Sequence, residues 1–296
     1  MSRSWGKDNE MSTTTTLPSR QPRAGEQGTA GRRGPQIVSA IRAVLGETQK
    51  GLWLLWGHRS VVLLEIISMV TFYPFLQFII GNGTINRALV PPTLLAFLAL
   101  PVLYLAILKL VGDLLEEVNS GTFEQMHLSP FSPTSLLVGR LLAFVFEGVL
   151  IAVIVGVLMT WWLRVSIPLR AAGLLPAALT VIDIIGFALL IGGLALVLPQ
   201  IGALAHLFSG LILLLNGTFI PLEWYPAWVQ TLARFLPTTL GIEVARKVVL
   251  EGQTLASVWV DGTLPWLIIY TVGLSVLGWC VFLLNDRRAM QRGTLR

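Results

Sequence analysis

Six apolar runs, at about 61–81, 88–111, 136–161, 171–198, 201–220 and 264–284, constrain what this chain can become. Each is close to the ~20 residues that a helix needs to cross the hydrocarbon of a bilayer. Only 12% of the residues are charged, against roughly 25% in soluble domains. A soluble chain of 296 residues could not hide so much apolar surface, so lipid is its natural solvent. The expected fold is an all-α integral membrane protein with six transmembrane helices. The fourth and fifth runs are separated only by Pro199 and Gln200, which marks a tight turn or a broken hairpin.

The flanks read differently. Residues 1–35 are rich in Ser, Thr, Gly, Pro and Arg and hold no apolar run, the composition of a disordered tail. No continuous apolar h-region precedes Ile37, so a cleaved secretory signal is not expected. Over residues 36–58 the apolar positions Ile37, Ile41, Val44, Leu45, Leu52 and Leu55, with Thr48, fall three and four apart, while Arg42, Gln49 and Lys50 take the other side. This spacing predicts an amphipathic helix. Trp53 and Trp56 suit a membrane–water boundary, and the helix is expected to lie along the interface. Residues 59–286 form the six-helix region, and 287–296 a basic tail.

An even number of crossings puts both termini on one side, and basic residues choose the side. Arg87, Arg164, Arg170, Arg234, Arg246 and Lys247 fall on one side. The other fifteen basic residues, including Lys109, Arg140 and the clusters near both ends, fall opposite. The positive-inside bias makes both termini cytoplasmic, in a multi-pass protein of the cell membrane. Two connections are long enough to hold structure: a cytoplasmic one at about 112–135 and an external one at about 221–263. In the external one, Trp228, Val229, Leu232, Phe235 and Leu236 form a helical stripe between Pro226 and Pro237. A short external helix dipping into the outer leaflet accounts for it.

Several function classes are excluded by counting. The one cysteine, Cys280, forms no intrachain disulfide and no thiolate metal site. His58, His127 and His206 lie far apart and match no metal-ligand spacing. The formal net charge of +5 is concentrated near the two ends, which fits a cytoplasmic membrane face and not nucleic-acid binding. The phosphate loop of an ATPase needs Gly-x-x-x-x-Gly-Lys-Ser/Thr. The only Gly-Lys pair here is Gly6-Lys7, followed by Asp8, so the chain is expected to bind no ATP and to be no enzyme. Any ATP that drives it sits on a partner.

The cytoplasmic connection reads Glu116-Glu117-Val118-Asn119-Ser120-Gly121-Thr122-Phe123-Glu124-Gln125-Met126, then Ser129-Pro130-Phe131-Ser132-Pro133. Here the chain resembles the ABC-2 family of exporter permeases, whose members carry an acidic residue, Gly-Thr, an apolar residue, Glu-Gln and Ser/Pro steps before the third helix. The external stretch resembles the family too, in Gly217-Thr218-Phe219-Ile220-Pro221-Leu222-Glu223 and in Phe235-Leu236-Pro237-Thr238-Thr239-Leu240-Gly241. The resemblance runs from about Ile37 to the end. It implies an ATP-driven exporter in which this chain pairs with a second permease, identical or related, and with two copies of an ABC ATPase subunit. It also implies that residues 117–126 form a short coupling helix docking on the ATPase. The coupling residues would be Glu117, Gly121, Thr122, Phe123, Glu124, Gln125 and Met126, with Ser129 and Pro130. The residues suit that role: Gly121 permits a sharp turn, Thr122 with Gln125 makes a reciprocal cap, and Phe123 and Met126 offer apolar knobs for a groove. The substrate class implied is a drug, a lipid or a glycan.

Two acids fall inside apolar runs: Glu147 mid-way along the third and Asp183 mid-way along the fourth. Each costs roughly 2.5–3.5 kcal/mol at a helix centre, so each is expected to face protein or a cavity. They are the candidates for the translocation path; the alternative is helix–helix hydrogen bonding. Two rival functions differ in class. An intramembrane metalloprotease would read Glu116-Glu117 as the start of Glu-Glu-x-x-x-Arg, but the sixth position is Gly121. A stand-alone secondary transporter or channel is compatible with Asp183 and the Pro199 break, but leaves the two ABC-2-like motifs unexplained.

Overall fold

The computed structural model describes residues 36–122, 132–168, 170–198, 200–220 and 222–292. The expected disordered tail at 1–35 lies outside them. So do the expected coupling residues Phe123, Glu124, Gln125 and Met126, together with Ser129 and Pro130. Among the described residues every regular element is helical.

Helix α1 spans Gln36–Gly57 and α2 spans Arg59–Ile80, with His58 between them as a one-residue break outside helical geometry (φ −99°, ψ 25°). The second span runs continuously from Val90 to Ser120 but is built in pieces: α3 (Val90–Phe97), α4 (Ala99–Tyr104), a π-helical turn (Leu105–Lys109) and α5 (Leu110–Ser120). Pro101 explains the first break, because it has no N–H to return to the Phe97 carbonyl one turn earlier. The expected boundary at 111 falls short because Asp113, Glu116 and Glu117 end the apolar window without ending the helix. Helix α6 is the longest, Pro133–Leu163. Ser132 caps it by accepting from the Ser135 N–H (3.2 Å), and Pro133 occupies the first helical position, where a missing N–H costs nothing.

Helix α7 (Leu174–Ala195) and α8 (Ile201–Leu215) follow. Among the described residues five helices are long and apolar enough to cross a membrane, and the chain is a multi-pass membrane protein. The fifth apolar run folds as α8, whose 15 residues extend ~22 Å, less than the ~30 Å of a hydrocarbon core. It runs antiparallel to the second span. Gly202 abuts Leu115 near one end, and Asn216, its C-cap, reaches the Ala96 carbonyl (3.4 Å) at the other.

The connection at 221–263, expected to be external, contains more structure than the single expected helix. It holds α9 (Ala227–Ala233), α10 (Thr239–Val249) and α11 (Leu255–Val260) before the last span, α12 (Thr263–Arg292). In α9, Val229 and Ala233 face inward while Trp228 and Leu232 are exposed, as is Phe235 just beyond it. Exposed Trp161, Trp162, Trp224, Trp259 and Trp266 join them at this end, where amphipathic rings suit a headgroup layer. Helix α10 buries Leu240, Val244 and Val248 against Val258, Leu264 and Leu267.

Small residues set the closest packing, as expected where lipid supplies no hydrophobic drive between helices. Helices α7 and α12 run parallel, and a Cβ on Gly193 would come 2.6 Å from the Phe282 Cα. Helix α1 departs from expectation. One side of it packs along the first turns of α6, with the Thr48 hydroxyl 3.0 Å from the Gly139 carbonyl. Val44 and Thr48 of the predicted stripe turn that way, while Ile41, Leu45, Trp53 and Trp56 stay exposed.

This packing gives two glycines of similar propensity opposite signs. Gly46 has open space around it, so Gly46→Ala is expected to stabilise by roughly 0.5–1 kcal/mol through helix propensity. A Cβ on Gly139 would lie 2.7 Å from the Val44 carbonyl and 2.9 Å from the Glu47 Cβ, so Gly139→Ala is expected to destabilise by ~1–3 kcal/mol. Thermal unfolding of the two variants in detergent checks this; two shifts of the same sign would refute the α1–α6 contact.

Candidate functional site

At the end of the bundle that carries α1, side chains from α1, α2, the π turn, α5 and α6 surround a cavity of about 680 Å³. Its walls are mixed. Leu54, Leu55, Val62 and Phe144 are apolar, while Lys109, Asp113, Glu117, Arg140 and Glu147 bring charge. The charges fall on two helical stripes. Lys109, Asp113 and Glu117 repeat every four residues along the second span, and Arg140 and Glu147 lie two turns apart on α6, spacings that put them on common faces.

The stripes pair in register. The Lys109 ammonium donates to Glu147 (2.7 Å), whose side chain is only 3% exposed, and stands 3.6 Å from Glu65 of α2. Arg140 donates to Glu117 (2.7 Å) and lies 3.7 Å from Asp113. The π turn ends on Lys109. An i→i+5 turn inserts an extra residue and shifts the helical face presented by the residues around it.

The expected coupling residues divide at the edge of the described region. Residues 117–120 form the last turn of α5, so Glu117 sits in the long helix and not in a separate short one. Gly121 ends the helix in the left-handed conformation (φ 70°, ψ 9°), which glycine adopts without a Cβ penalty. The Thr122 hydroxyl lies 2.8 Å from that of Ser120 and 3.4 Å from the Glu117 carbonyl. The connection therefore starts from a fixed stub, and the stub is tied to α6 by the Glu117–Arg140 pair.

The two intramembrane acids have unlike surroundings. Glu147 is ion-paired as described. Asp183 on α7 is fully buried, and among the described residues neither carboxyl oxygen has a hydrogen-bond partner. Thr271 of α12 stands beside it, but that hydroxyl donates to the Leu267 carbonyl (2.9 Å). Glu147 and Asp183 are not brought into one site. Among the described residues, no group of three or more His, Cys, Asp or Glu side chains is placed to hold a metal.

At the opposite end Arg246 of α10 does structural work that its place in the charge count did not reveal. Its Nε (3.1 Å) and Nη2 (2.8 Å) donate to the Pro92 carbonyl, and Nη2 also to the Gly217 carbonyl (2.9 Å). Burial lowers its pKa from the ordinary value, opposed by nearby Glu223 and Glu243. Arg246 thus joins α10 to the start of the second span and to the turn after α8. A Cβ on Gly217 would lie 2.6 Å from the Arg246 Nη2, so that residue of the second ABC-2-like motif is small because the guanidinium needs the space. Asn216 completes the turn by accepting from the Thr218 N–H (3.0 Å) and hydroxyl (2.7 Å).

Lys109 and Arg140 are the residues of this cavity that the amino-acid pattern placed only as flanks. Their stripes with Asp113, Glu117 and Glu147 were the available signal. Lys109→Met is expected to cost about 3–5 kcal/mol, because it strands Glu147 as a buried unpaired charge. The double variant Lys109→Met/Glu147→Leu should recover most of that loss. Thermal unfolding in detergent of Lys109→Met, Glu147→Leu and the double variant reads the coupling, and simple additivity of the two single losses would show that the pair is not coupled.

The comparisons with known proteins agree with this architecture. A family model described as ABC-2 type transporter matches residues 44–250, a stretch that includes α2 to α10 and both motifs. Two curated relatives, each an inner membrane transport permease YhhJ, come from Escherichia coli (strain K12) and Shigella flexneri. Each is 26% identical over 160 residues, covering 52% of this chain. The match spans 42% of the relatives' own length. With the family match extending over more than half of its residues, from the middle of α1 to the end of α10, the chain belongs to the ABC-2 type transporter family.

Proposed function

We propose that this chain is the membrane permease subunit of an ATP-driven exporter, moving a substrate of the drug, lipid or glycan class outward. The ATP is bound and hydrolysed by a separate ABC ATPase subunit present in two copies. A second permease, identical or related, completes the assembly in the cell membrane. The observation that carries this reading is the family match over residues 44–250, joined to a sequence without a phosphate loop.

The chain crosses six times, with α8 as the fifth crossing. Its register against the second span supports this, since α8 and its turn run from the level of Leu115 to that of Ala96. Both termini are cytoplasmic by the basic-residue bias, which puts the charged cavity inside and α9–α11 outside. Residues Glu117 to Pro130 dock on the ATPase, with the Glu117–Arg140 pair carrying their movement to α6. Asp183 lines the substrate path, and Glu147 borders it through the cavity.

Three measurements test the proposal. An ATPase subunit should co-purify with the chain; a stand-alone carrier would transport without one. In a Cys280→Ala background, Gln253→Cys should label from outside and Gln291→Cys should not; the reverse pattern would overturn the topology. Phe123→Ala with Met126→Ala removes two anchors, each worth ~1–2 kcal/mol if seated in a partner groove. Adding Glu124→Lys introduces a charge mismatch against a basic groove. The triple variant should insert normally yet lose ATPase binding and substrate-stimulated hydrolysis. Unchanged binding and transport would move the coupling role to α1.

A further inference from the structure

The ion pairs at the α1 end make Asp183 conspicuous. Glu65 and Glu147 share Lys109, and Asp113 and Glu117 share Arg140. Arg246, the buried base at the other end, donates to backbone carbonyls. Asp183 is fully buried at the middle of α7 with no base beside it and no hydrogen bond to either carboxyl oxygen among the described residues. The hydroxyls nearby are engaged elsewhere: Thr271 donates to Leu267, and Tyr270 to the Phe235 carbonyl (2.9 Å). A carboxyl group at this depth costs roughly 2.5–3.5 kcal/mol on insertion, and the Thr271 hydroxyl beside it is the one group placed to offset any of that among the described residues.

A second feature adjoins it. Between α6, α7 and α12 lies a groove of about 410 Å³ whose walls are almost wholly apolar, including Leu141, Ile185, Leu189, Val276 and Trp279. Its one hydroxyl is Ser275, and that Oγ is buried without a partner. Ser275 lies one turn from Thr271 on the same face of α12, so the groove wall stands ~5–6 Å along the helix from the residue beside Asp183. The volume is in the range of small-molecule sites. Apolar walls, a ring at Trp279 and an uncompensated carboxyl one turn away are complementary to a single chemical class.

From this juxtaposition of an apolar groove and an unpaired buried acid we infer that the α6–α7–α12 groove binds lipophilic cations, with Asp183 as their counter-charge. This rests on the permease reading and names the substrate class that it leaves open. The apolar body occupies the groove and displaces lipid from Trp279 and Val276, while the positive centre approaches Asp183 along the Thr271–Ser275 face. Charge makes the distinction: a neutral molecule of the same shape gains only the groove.

The test uses the purified full chain in phosphatidylcholine nanodiscs without ATPase, with binding measured by equilibrium dialysis against empty nanodiscs. Tetraphenylphosphonium is the probe, since its charge does not vary with pH; triphenylphosphine oxide is the neutral control. The wild type should bind the cation saturably. Asp183→Asn should weaken cation binding by roughly tenfold, equivalent to about 1.4 kcal/mol, and leave the neutral control unchanged, while Asp183→Glu retains the cation. Val276→Trp, which fills the groove from its exposed side, should weaken both probes and needs no change at the acid. The inference is overturned if wild-type nanodiscs bind no more cation than empty ones. It is also overturned if Asp183→Asn binds the cation as well as the wild type does, or if filling the groove changes nothing. ATPase co-purification on the same preparations separates the two levels: a retained ATPase with no cation binding sinks this site and leaves the permease function standing.

Discussion

A lysine ammonium within a membrane span has to be neutralised where it stands, because hydrocarbon supplies neither counter-ions nor hydrogen bonds. Lys109 meets that requirement through Glu147 on α6 at 2.7 Å, with Glu65 of α2 next to it. Much of the α1 end follows from this contact. It brings three spans together at one point, and the Arg140–Glu117 pair joins the second span to α6 at another level. The charges form a cavity wall because each has a partner. Without the acids, the second span would have to end near Lys109 and present it to water.

The opposite end is held by a different means. There Arg246 faces backbone carbonyls, Tyr73 donates to the Val90 carbonyl (3.0 Å), and Gln77 donates to the Thr93 hydroxyl (2.8 Å). These neutral acceptors tie α2, the start of the second span, the α8 turn and α10 together. Outside the chain's hydrocarbon-facing surface, the Lys247–Asp261 pair works in water. Its carboxyl is pushed to about 2 by the Lys247 hydrogen bond first and those from Thr263 next. A depressed carboxyl contributes above its unfolded value and is lost only as pH falls through about 2, so this corner stays ionised across physiological conditions. Ionic pairing at one end and carbonyl anchoring at the other leave the middle of the bundle to glycine-mediated contacts.

Most of the architecture was legible in the amino-acid pattern because hydrocarbon imposes length and composition on each crossing. The apolar runs matched the long helices with boundaries within a few residues, except where Asp113 and Glu117 ended the second window early and where the last helix runs on to Arg292, past the expected end at 284. The partners of Lys109 and Glu147 were not legible from hydropathy, since pairing across helices depends on relative rotation, including the shift from the π turn. Arg246 had less signal still, because its acceptors are main-chain oxygens, which any residue carries. Helix α10 was missed because Glu243, Arg246 and Lys247 gave the 221–263 stretch the look of a loop, although Leu240, Val244 and Val248 kept a four-residue period. The Asp183 and Glu147 positions both drew attention as acids in apolar runs, yet only the three-dimensional arrangement separates the compensated acid from the uncompensated one.

The His58 break between α1 and α2 has a mechanical consequence. Helix α1 holds 22 residues, a rod of ~33 Å, attached to the first span through a single non-helical residue. A tilt of ~10° about that point would carry the far end by ~6 Å, given the same rise per residue. The rod is not free to swing alone, since Thr48 and Gly139 bind it to the first turns of α6. A push on its outer half therefore acts as torque on the third span, with the short arm lying over the wall that contains Lys109 and Arg140.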